Sequence, residues 1–292
     1  MIRMMPPGKF NSDTGVWYLA QNNGANVSIS ELTVVTFNVW FDQYYQQERC
    51  QALLRVIRDC NADIICLQEI TFSFLKQLLQ LEWVQANYYV SDCTGNTIQP
   101  YGVLLLSRMP IALLRWHDLP SMMARRLLVA ELKINNQITQ IATAHLESTR
   151  LFGSVRKQQL ELIFPALEKS KHAVLMGDFN FCSSNLAENA NLNPDYQDMW
   201  PVLKNGQPGY TEDTDVNLMR LEKTGRHKQV RYDRILVRSS ISGWQPKSIE
   251  LLGTTPISAN YPAVFPSDHF GLVGRLVWNS HDDKMPLETV PL

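Results

Sequence analysis

The 292-residue sequence predicts an α/β protein, built as a four-layer sandwich of two packed mixed β-sheets flanked by helices. Two observations support this prediction. Short runs rich in Val, Ile and Leu recur along the chain, and amphipathic helical patterns lie between some of them. With 45% hydrophobic residues the chain can bury a large core. We therefore expect a single domain at 32–280, preceded by an N-terminal extension (1–31) and followed by a C-terminal tail (281–292).

Eight apolar runs, each bounded by polar or turn residues, have the length and composition of β-strands. Because they outnumber the helical segments, we expect them to form two sheets that pack together and are covered by helices. The runs are LTVVTFNVW (32–40), DIICLQE (63–69), YGVLLLS (101–107), LLVAELKI (127–134), ITQIATAHL (138–146), HAVLMGDFN (172–180), YDRILVRS (232–239) and HFGLVGRLVW (269–278).

Three segments have the pattern of amphipathic helices. In 48–60 the apolar residues fall at i, i+3, i+4 and i+7, which places them on one helix face. The segment 71–82 repeats this pattern, and Thr71 is a suitable N-cap for it. A third helix is expected to start at Ser154 and to be disturbed at Pro165, because proline lacks the backbone N–H.

The stretch 182–229 differs from the rest, because it is polar, rich in Asn and Asp, and contains only brief apolar pieces. We expect loops there, with one short helix around 195–203. No internal repeat or low-complexity linker indicates a domain boundary.

Composition and charge exclude several classes of protein. A formal net charge of -1 argues against non-specific binding along extended nucleic acid. The five cysteines are scattered without a C-x-x-C pair, so neither a disulfide framework nor a zinc site is predicted. No apolar signal region opens the chain, and no run reaches the length of a membrane span. We expect a soluble intracellular monomer of the cytoplasm or nucleus, while secretion as a host-directed protein stays open.

Acidic, amide and histidine side chains lie at the ends of separate predicted strands. Strand ends are where a rigid scaffold places catalytic and binding side chains beside a cleft. Taken singly, each carboxylate is more often a turn residue, at odds of roughly two in three. The joint occurrence of these residues in one chain favours a single site instead. They are Asn38, Glu69, Asp178, Asn180, Asp268 and His269.

Such a set of residues supports metal-assisted hydrolysis of a phosphoester. Mg²⁺ takes carboxylate, water and phosphate oxygens, which suits Glu69 with Asp268 and few other protein ligands; Mn²⁺ is a possible substitute. Asp178 would orient and deprotonate the attacking water, and Asn180 would hold that water in line.

Two histidines would complete this centre. His145 and His269 would donate hydrogen bonds that stabilise the charge growing on the phosphorus oxygens in the transition state. A histidine in this role often has its other ring nitrogen fixed by a carboxylate, and Asp233 is the candidate for that partner of His269.

Four short motifs in chain order resemble those of the endonuclease/exonuclease/phosphatase superfamily. Each motif alone is weak, but the ordered set of four is specific. The resemblance implies a two-sheet α/β sandwich, Mg²⁺-dependent cleavage of phosphoesters, and a metal supported by Asn38 together with Glu69 and Asp268. The motifs are TFN (36–38), LQE (67–69), GDFN (177–180) and SDH (267–269).

Within this superfamily the chain is most similar to the branch of the tyrosyl-DNA phosphodiesterases. In the segment TAHLESTR (143–150), this resemblance implies that His145, Ser148 and Arg150 contact the phosphate or the adjacent nucleotide. It also implies that Asp233 stands behind His269. The segments that carry the likeness are LPSMMARRLL (119–128), HLESTR (145–150), YDRI (232–235) and FPSDHFGL (265–272).

One position departs from the pattern of that branch. The usual sequence TWDT reads TEDT here, so Glu212 stands where a tryptophan would pack beside the active site and help to frame the phosphate. Loss of an indole donor and gain of a carboxylate could lower activity, shift metal use or change the leaving group that is accepted.

The segment 220–234 holds six Lys or Arg residues against two acids. Such a run is a solvated loop at about even odds. Joined to Arg125, Arg126 and Arg150, it could instead position a nucleic-acid strand through its phosphates without reading its sequence.

Three functions remain in competition at this point. The leading one is a Mg²⁺-dependent phosphodiesterase of DNA repair, whose partner is a DNA or RNA end that carries a 5′ phosphotyrosyl adduct. The second keeps the chemistry and changes the substrate, as in an abasic endonuclease, a deadenylase, or a lipid or inositol phosphatase. The third is a catalytically weak binding protein with this fold, which Glu212 favours and the complete set of acids, amides and histidines opposes.

Overall fold

Two mixed β-sheets pack face to face in the computed structural model of the protein, which describes residues 1–21, 24–238 and 242–280. The expected tail at 281–292 lies outside the described residues. In chain order the strands are β1 (Ile2–Met4), β2 (Gly8–Asn11), β3 (Val16–Leu19), β4 (Glu31–Asn38), β5 (Ile64–Ile70), β6 (Tyr89–Val90), β7 (Gly102–Ser107), β8 (Ile111–Asp118), β9 (Arg126–Ile134), β10 (Gln137–His145), β11 (His172–Asp178), β12 (Tyr196–Asp198), β13 (Glu212–Asp213), β14 (Gln229–Val230), β15 (Asp233–Arg238), β16 (Gly243–Leu252) and β17 (Gly271–Asn279).

Helices occupy the connections between these strands. In the described part of the chain, none of them is both long enough and apolar enough to cross a membrane. The helices are α1 (Gln46–Asp59), α2 (Phe72–Leu79), α3 (Glu82–Asn87), α4 (Gly153–Ala166), α5 (Leu186–Asn189), α6 (Met199–Leu203) and α7 (Met219–Thr224), with a 3-10 turn at Arg150–Phe152.

Sheet A has the strand order β1-β8-β9-β10-β11-β15-β12, and sheet B has the order β16-β17-β4-β5-β7-β6-β2-β3. Each sheet contains one parallel pair at its centre, β10 with β11 in sheet A and β4 with β5 in sheet B. The remaining pairs within both sheets are antiparallel, so both sheets are mixed. A separate ribbon is formed by β13 and β14.

Side chains alternate between the two faces of each strand and so divide the core into layers. Val34 of β4 and Met176 of β11 lie between the sheets. Val35 faces the apolar side of α1 and α2, and Leu175 faces α4. The layers are therefore helices, sheet B, sheet A and a helix, and the predicted four-layer α/β sandwich is confirmed.

The eight predicted strands are confirmed as β4, β5, β7, β9, β10, β11, β15 and β17. The three predicted helices are α1, α2 and α4, and the Thr71 side chain caps α2 by accepting a hydrogen bond from the Phe74 N–H at 3.3 Å. Helix α4 includes Pro165 and ends one residue later, at Ala166. The helix accommodates this proline because Pro165 lies in the last turn, where the missing N–H removes only one backbone hydrogen bond.

Several elements have no clear pattern in the sequence. Strand β16 contains Pro246 at a register shift. Proline has no N–H to donate to a neighbouring strand, and β16 tolerates it because this strand lies at the edge of the sheet. The segment 1–31, expected to be an extension, supplies β1 to the edge of sheet A and β2 with β3 to the edge of sheet B. The segment 182–229 was expected to contain one short helix, which is α6, but it also contains α5 and α7.

Gly177 allows β10 and β11 to approach closely just before the strands end. Its φ of 146° is a backbone conformation that side chains disfavour, and a Cβ at this position would lie 2.0 Å from the Ala144 carbonyl oxygen. Since both strands are held in register by main-chain hydrogen bonds, neither can move away without distorting the residues that follow.

Replacement of Gly177 by alanine is therefore expected to destabilise the fold by about 3 kcal/mol. The matched control is Gly206→Ala, because Gly206 also has a positive φ of 78° but has no neighbour within 4 Å of the added methyl group. The control should cost only about 1 kcal/mol, for the backbone conformation alone. Urea denaturation monitored by circular dichroism measures both values, and equal losses would show that the contact with Ala144 is unimportant.

Candidate active site

Three of the predicted site residues lie side by side on adjacent strands of sheet A. His145 at the end of β10 is in register with Asp178 at the end of parallel β11, and Asp178 is in register with Asp233 at the start of antiparallel β15. All three side chains are buried. The strand order of the sheet thus brings together residues that are far apart in the sequence.

Sheet B contributes a fourth residue from across the interface between the sheets. The Asn38 side-chain amide, at the end of β4, donates a hydrogen bond to the Asp178 Oδ2 at 3.0 Å, and its Oδ1 accepts one from the Trp40 N–H at 3.0 Å. Asn38 therefore positions the Asp178 carboxylate, and its expected role beside a metal stays a prediction.

The Asp178 carboxylate is the point at which these residues meet. Its Oδ1 accepts the Asn180 N–H at 2.9 Å, while its Oδ2 lies 3.3 Å from His145 Nε2 and 4.0 Å from His269 Nε2. Burial alone would raise the pKa of Asp178, but the two histidines and the hydrogen bonds from Asn180 and Asn38 outweigh it and hold the pKa below its usual value. Asp178 is consequently ionised at neutral pH.

His145 is neutral, and its hydrogen bonds fix its tautomer. The Arg125 guanidinium lies 2.8 Å from His145 Nδ1 and can only donate, so Nδ1 accepts and the ring proton is on Nε2, facing Asp178. Burial and the charge of Arg125 lower the pKa of His145 to about 3. Arg125 also donates to the Ser148 hydroxyl at 2.7 Å, which ties Ser148 to the same site.

His269 has the opposite charge state. Its Nδ1 lies 2.8 Å from the Asp233 carboxylate, and the backbone N–H of Asp233 donates to the Thr211 hydroxyl at 3.1 Å. Burial would lower the pKa of His269, but Asp233, Asp178 and Asp268 raise it well above its usual value. His269 is therefore an imidazolium at neutral pH, and its Nε2 lies 4.0 Å from Asp178 Oδ2.

Glu69 reaches the site because β5 is irregular at its end. The register with β7 shifts between Leu67 and Ile70, and Glu69 has a φ of 61°, which is uncommon for a residue other than glycine. The Phe41 N–H donates to the Glu69 carboxylate at 3.3 Å. Backbone strain of this kind often marks a functional position.

Glu69 and Asp268 form the pair of carboxylates that best suits a divalent cation. Burial, and next the charge of Asp268, raise the pKa of Glu69 to about 7, and burial raises the pKa of Asp268. The Asp268 carboxylate thus disfavours the ionisation of Glu69, and a hard cation between oxygen ligands would relieve that repulsion. The donor set therefore fits a metal such as Mg²⁺.

A second group of possible ligands consists of Asp178, Asp233 and His269, whose donor atoms all lie within 4.8 Å of one another. In this group the protonated His269 already supplies a positive charge to both carboxylates. The chemical need for a metal is therefore greater at Glu69 and Asp268.

The other predicted residues divide into those within the site and those outside it. The Asn180 side chain donates to the Leu146 carbonyl at 3.0 Å, beside Asp178. Glu147, left unassigned by the sequence, turns away and binds the Met122 N–H at 3.1 Å. Arg150 is exposed in the 3-10 turn, and no contact in the described residues links it to the site. Its role in substrate binding stays a prediction.

Two cavities flank this group of residues. One adjoins His145 and is lined by the Tyr101 and Trp116 rings and by Arg125, whose guanidinium lies 5.5 Å from the centre of the Tyr101 ring. The other adjoins Glu69. Tyr101 and Thr211 were missed from the sequence: Tyr101 follows no motif, whereas Thr211 is the first residue of TEDT and could have been found there.

Comparison with known proteins identifies the class of enzyme that this fold and site define. The sequence profile described as the Endonuclease/Exonuclease/phosphatase family matches residues 35–269. The chain belongs to this family and is a hydrolase of phosphoester bonds, as the four motifs predicted.

The relatives found in sequence are proteins named tyrosyl-DNA phosphodiesterase 2. The Xenopus laevis protein is 29% identical over 257 residues, which are 84% of this chain and 66% of the relative. The Homo sapiens protein is 27% identical over 271 residues, 88% of this chain and 69% of the relative. This chain thus spans about two thirds of the length of these relatives, and the predicted resemblance to their branch is confirmed.

Solved structures share the fold. The crystal structure of D. rerio TDP2 complexed with single strand DNA product has a TM-score of 0.70 at 22% identity and covers 86% of this chain and 100% of that one. Truncated Caenorhabditis elegans TDP2 has a TM-score of 0.72 at 22% identity, over 85% of this chain and 98% of that one.

Replacement of Arg125 by methionine should raise the pKa of His145, because it removes the cation that disfavours protonation of the ring. The pKa should stay below the ordinary histidine value, since the ring remains buried. NMR titration of the histidine ring protons measures this change, and the wild-type ring should not titrate between about pH 5 and 8. The control is Arg126→Met, whose guanidinium pairs with Asp118 instead. An unchanged His145 pKa in Arg125→Met would contradict the assigned tautomer.

Proposed function

We propose that this protein is a divalent-metal-dependent phosphodiesterase, with Mg²⁺ as its ordinary metal, that hydrolyses the 5′-tyrosyl phosphodiester of adducted DNA or RNA. Its role would be the removal of covalent adducts in DNA repair. The single observation that carries this proposal is the buried Asp178 carboxylate, which faces a neutral and a charged histidine donor at 3.3 and 4.0 Å. The names of the sequence relatives support the choice of substrate.

The proposed reaction begins with a water molecule held by Asp178 and Asn180. An ionised carboxylate accepts the hydrogen bond of the water, aligns its lone pair with the phosphorus and receives the proton as the oxygen attacks. As the new P–O bond forms, the P–O bond to the tyrosyl oxygen breaks and the tyrosine leaves as a phenolate. A carboxyl with a lowered pKa is a weak base, so orientation of the water is its larger contribution. Asn38 keeps that carboxylate from rotating.

The two histidines act on the phosphoryl oxygens in the same proposal. His145 Nε2 and His269 Nε2 lie 3.3 and 4.0 Å from Asp178 Oδ2, so a phosphate bound beside Asp178 would be within reach of both donors. Charge that develops on those oxygens is stabilised more strongly in a buried, preorganised site than in water. Glu69 and Asp268 would hold the metal, which supplies Lewis-acid stabilisation to the phosphate and the leaving group.

With Mg²⁺ present, purified protein should hydrolyse a 5′-phosphotyrosyl oligonucleotide, and three variants should each lose about a hundredfold or more of kcat: Glu69→Ala, Asp178→Asn and His269→Ala. Release of the labelled 5′-phosphate product measures the rate. Glu161→Gln is the control, because Glu161 is an exposed residue of α4 that only pairs with Lys157. Circular dichroism should show that every variant is folded.

A substrate panel decides between this proposal and other members of the family. The same preparation is offered an abasic duplex, a polyadenylated RNA and a phosphoinositide beside the tyrosyl oligonucleotide. Brisk turnover of any of these without turnover of the tyrosyl substrate would overturn the proposed substrate. Full activity in Asp178→Asn would overturn the assignment of the water-binding carboxylate.

A further inference from the structure

The cations of the basic segment 220–234 have two kinds of partner. Some pair with carboxylates away from the site, and others pair with carboxylates at the site. Arg231 and Arg234 both bind the Asp198 carboxylate, at 2.7 and 3.0 Å, and are buried. Lys223 pairs with Asp42. These three residues therefore hold the loop against the body of the protein and are not free to bind a ligand.

The two remaining paired cations of the segment converge on Glu212. Lys228 Nζ lies 3.0 Å from one Glu212 oxygen, and Arg220 Nε lies 3.6 Å from the other. Glu212 is only 3% exposed, and its Oε1 has no hydrogen-bond partner in the described part of the chain. Lys228 and Arg220 therefore compensate the negative charge that Glu212 brings to the site.

Arg220 links this cluster to the centre of the site. Its Nε also lies 3.5 Å from Asp268 Oδ2, so one guanidinium is placed between two carboxylates of different elements. The Arg220 side chain keeps 34% of its surface exposed. Among the described residues, no acceptor forms a hydrogen bond with its terminal nitrogens, so the N–H groups of those nitrogens are available to a ligand.

The oxygens of the scissile phosphate already have donors in the proposed mechanism, namely the two histidines. Arg220 is the more exposed member of its pair with Asp268, because 34% of its side-chain surface is exposed against 5% for Asp268. An arginine that is anchored through Nε and presents free N–H groups is suited to a phosphate in a fixed orientation. The next phosphate of a nucleic-acid strand is an anion of this kind.

We propose that Arg220, oriented by Glu212, binds the backbone phosphate adjacent to the scissile one, so that the enzyme prefers a substrate with at least two consecutive phosphates. Glu212 is a positioning residue in this arrangement, and Lys228 holds it in place. The inference rests on the proposed function, because it assumes a nucleic-acid strand in the site. It assigns a binding role to a cluster that occupies the position of the tryptophan in the related branch.

Two substrates that differ in phosphate number test the proposal. One is a 5′-phosphotyrosyl oligonucleotide, and the other is thymidine 5′-(4-nitrophenyl phosphate), which has a single phosphate. Arg220→Met should raise KM for the oligonucleotide about tenfold, and the increase should be at least about fivefold larger than for the small ester. Glu212→Gln should act in the same direction but more weakly, because the guanidinium is retained without its anchor. Arg226→Met, an exposed cation of the same segment, is the matched control and should behave as the wild type.

A binding measurement separates this proposal from the proposed function. Fluorescence anisotropy with a 5′-phosphorylated single-stranded oligonucleotide measures binding without turnover. Arg220→Met should lower the affinity and should reduce the slope of log affinity against log salt concentration by about one, the value for one lost phosphate contact. If the wild type cleaves neither substrate but shows this difference, the proposed function fails and the role of Arg220 stands. Equal KM changes on both substrates, or unchanged anisotropy, would overturn the proposal and leave Arg220 acting only through Asp268.

Discussion

The hydrogen bond from the Asn38 amide to the Asp178 carboxylate joins the two sheets at the edge where the site is formed. A second polar contact between the sheets, from the Gln68 amide to the Thr143 hydroxyl at 3.0 Å, lies one residue earlier on β5 than Glu69. A buried carboxylate must keep its hydrogen bonds, so the relative position of the sheets and the direction of Asp178 are determined together. Packing of the apolar layers alone would tolerate small sliding of one sheet over the other.

The charge of each histidine in the site is determined by the residue beside its Nδ1 atom. His145 faces a cation on its Nδ1 side and is neutral, whereas His269 faces a carboxylate there and is charged. Both nevertheless place Nε2 near the same oxygen of Asp178, at 3.3 and 4.0 Å. The differing partners therefore give two chemically identical side chains different charges in one site.

The layers, the eight central strands and the site residues at strand ends could be predicted because periodicity and local motifs encode them. Other features depend on contacts between distant segments. The bulge that turns Glu69 inward has no residue signature, since a glutamate with positive φ violates local preference. Arg125 was expected to contact the phosphates of a nucleic-acid strand, but it is buried against His145. The sequence could not show this, because only the fold determines which side of β9 and β10 faces the site.

Glu212 shows why one departure from a family pattern is a poor guide to loss of function. An isolated carboxylate beside a phosphate would repel it, and the sequence therefore left weak catalysis open. The structure places Arg220 of α7 and Lys228, next to β14, around that carboxylate, although they lie 8 and 16 positions further along the chain. The charge of Glu212 is thus compensated by residues outside the motif, which the motif alone could not show.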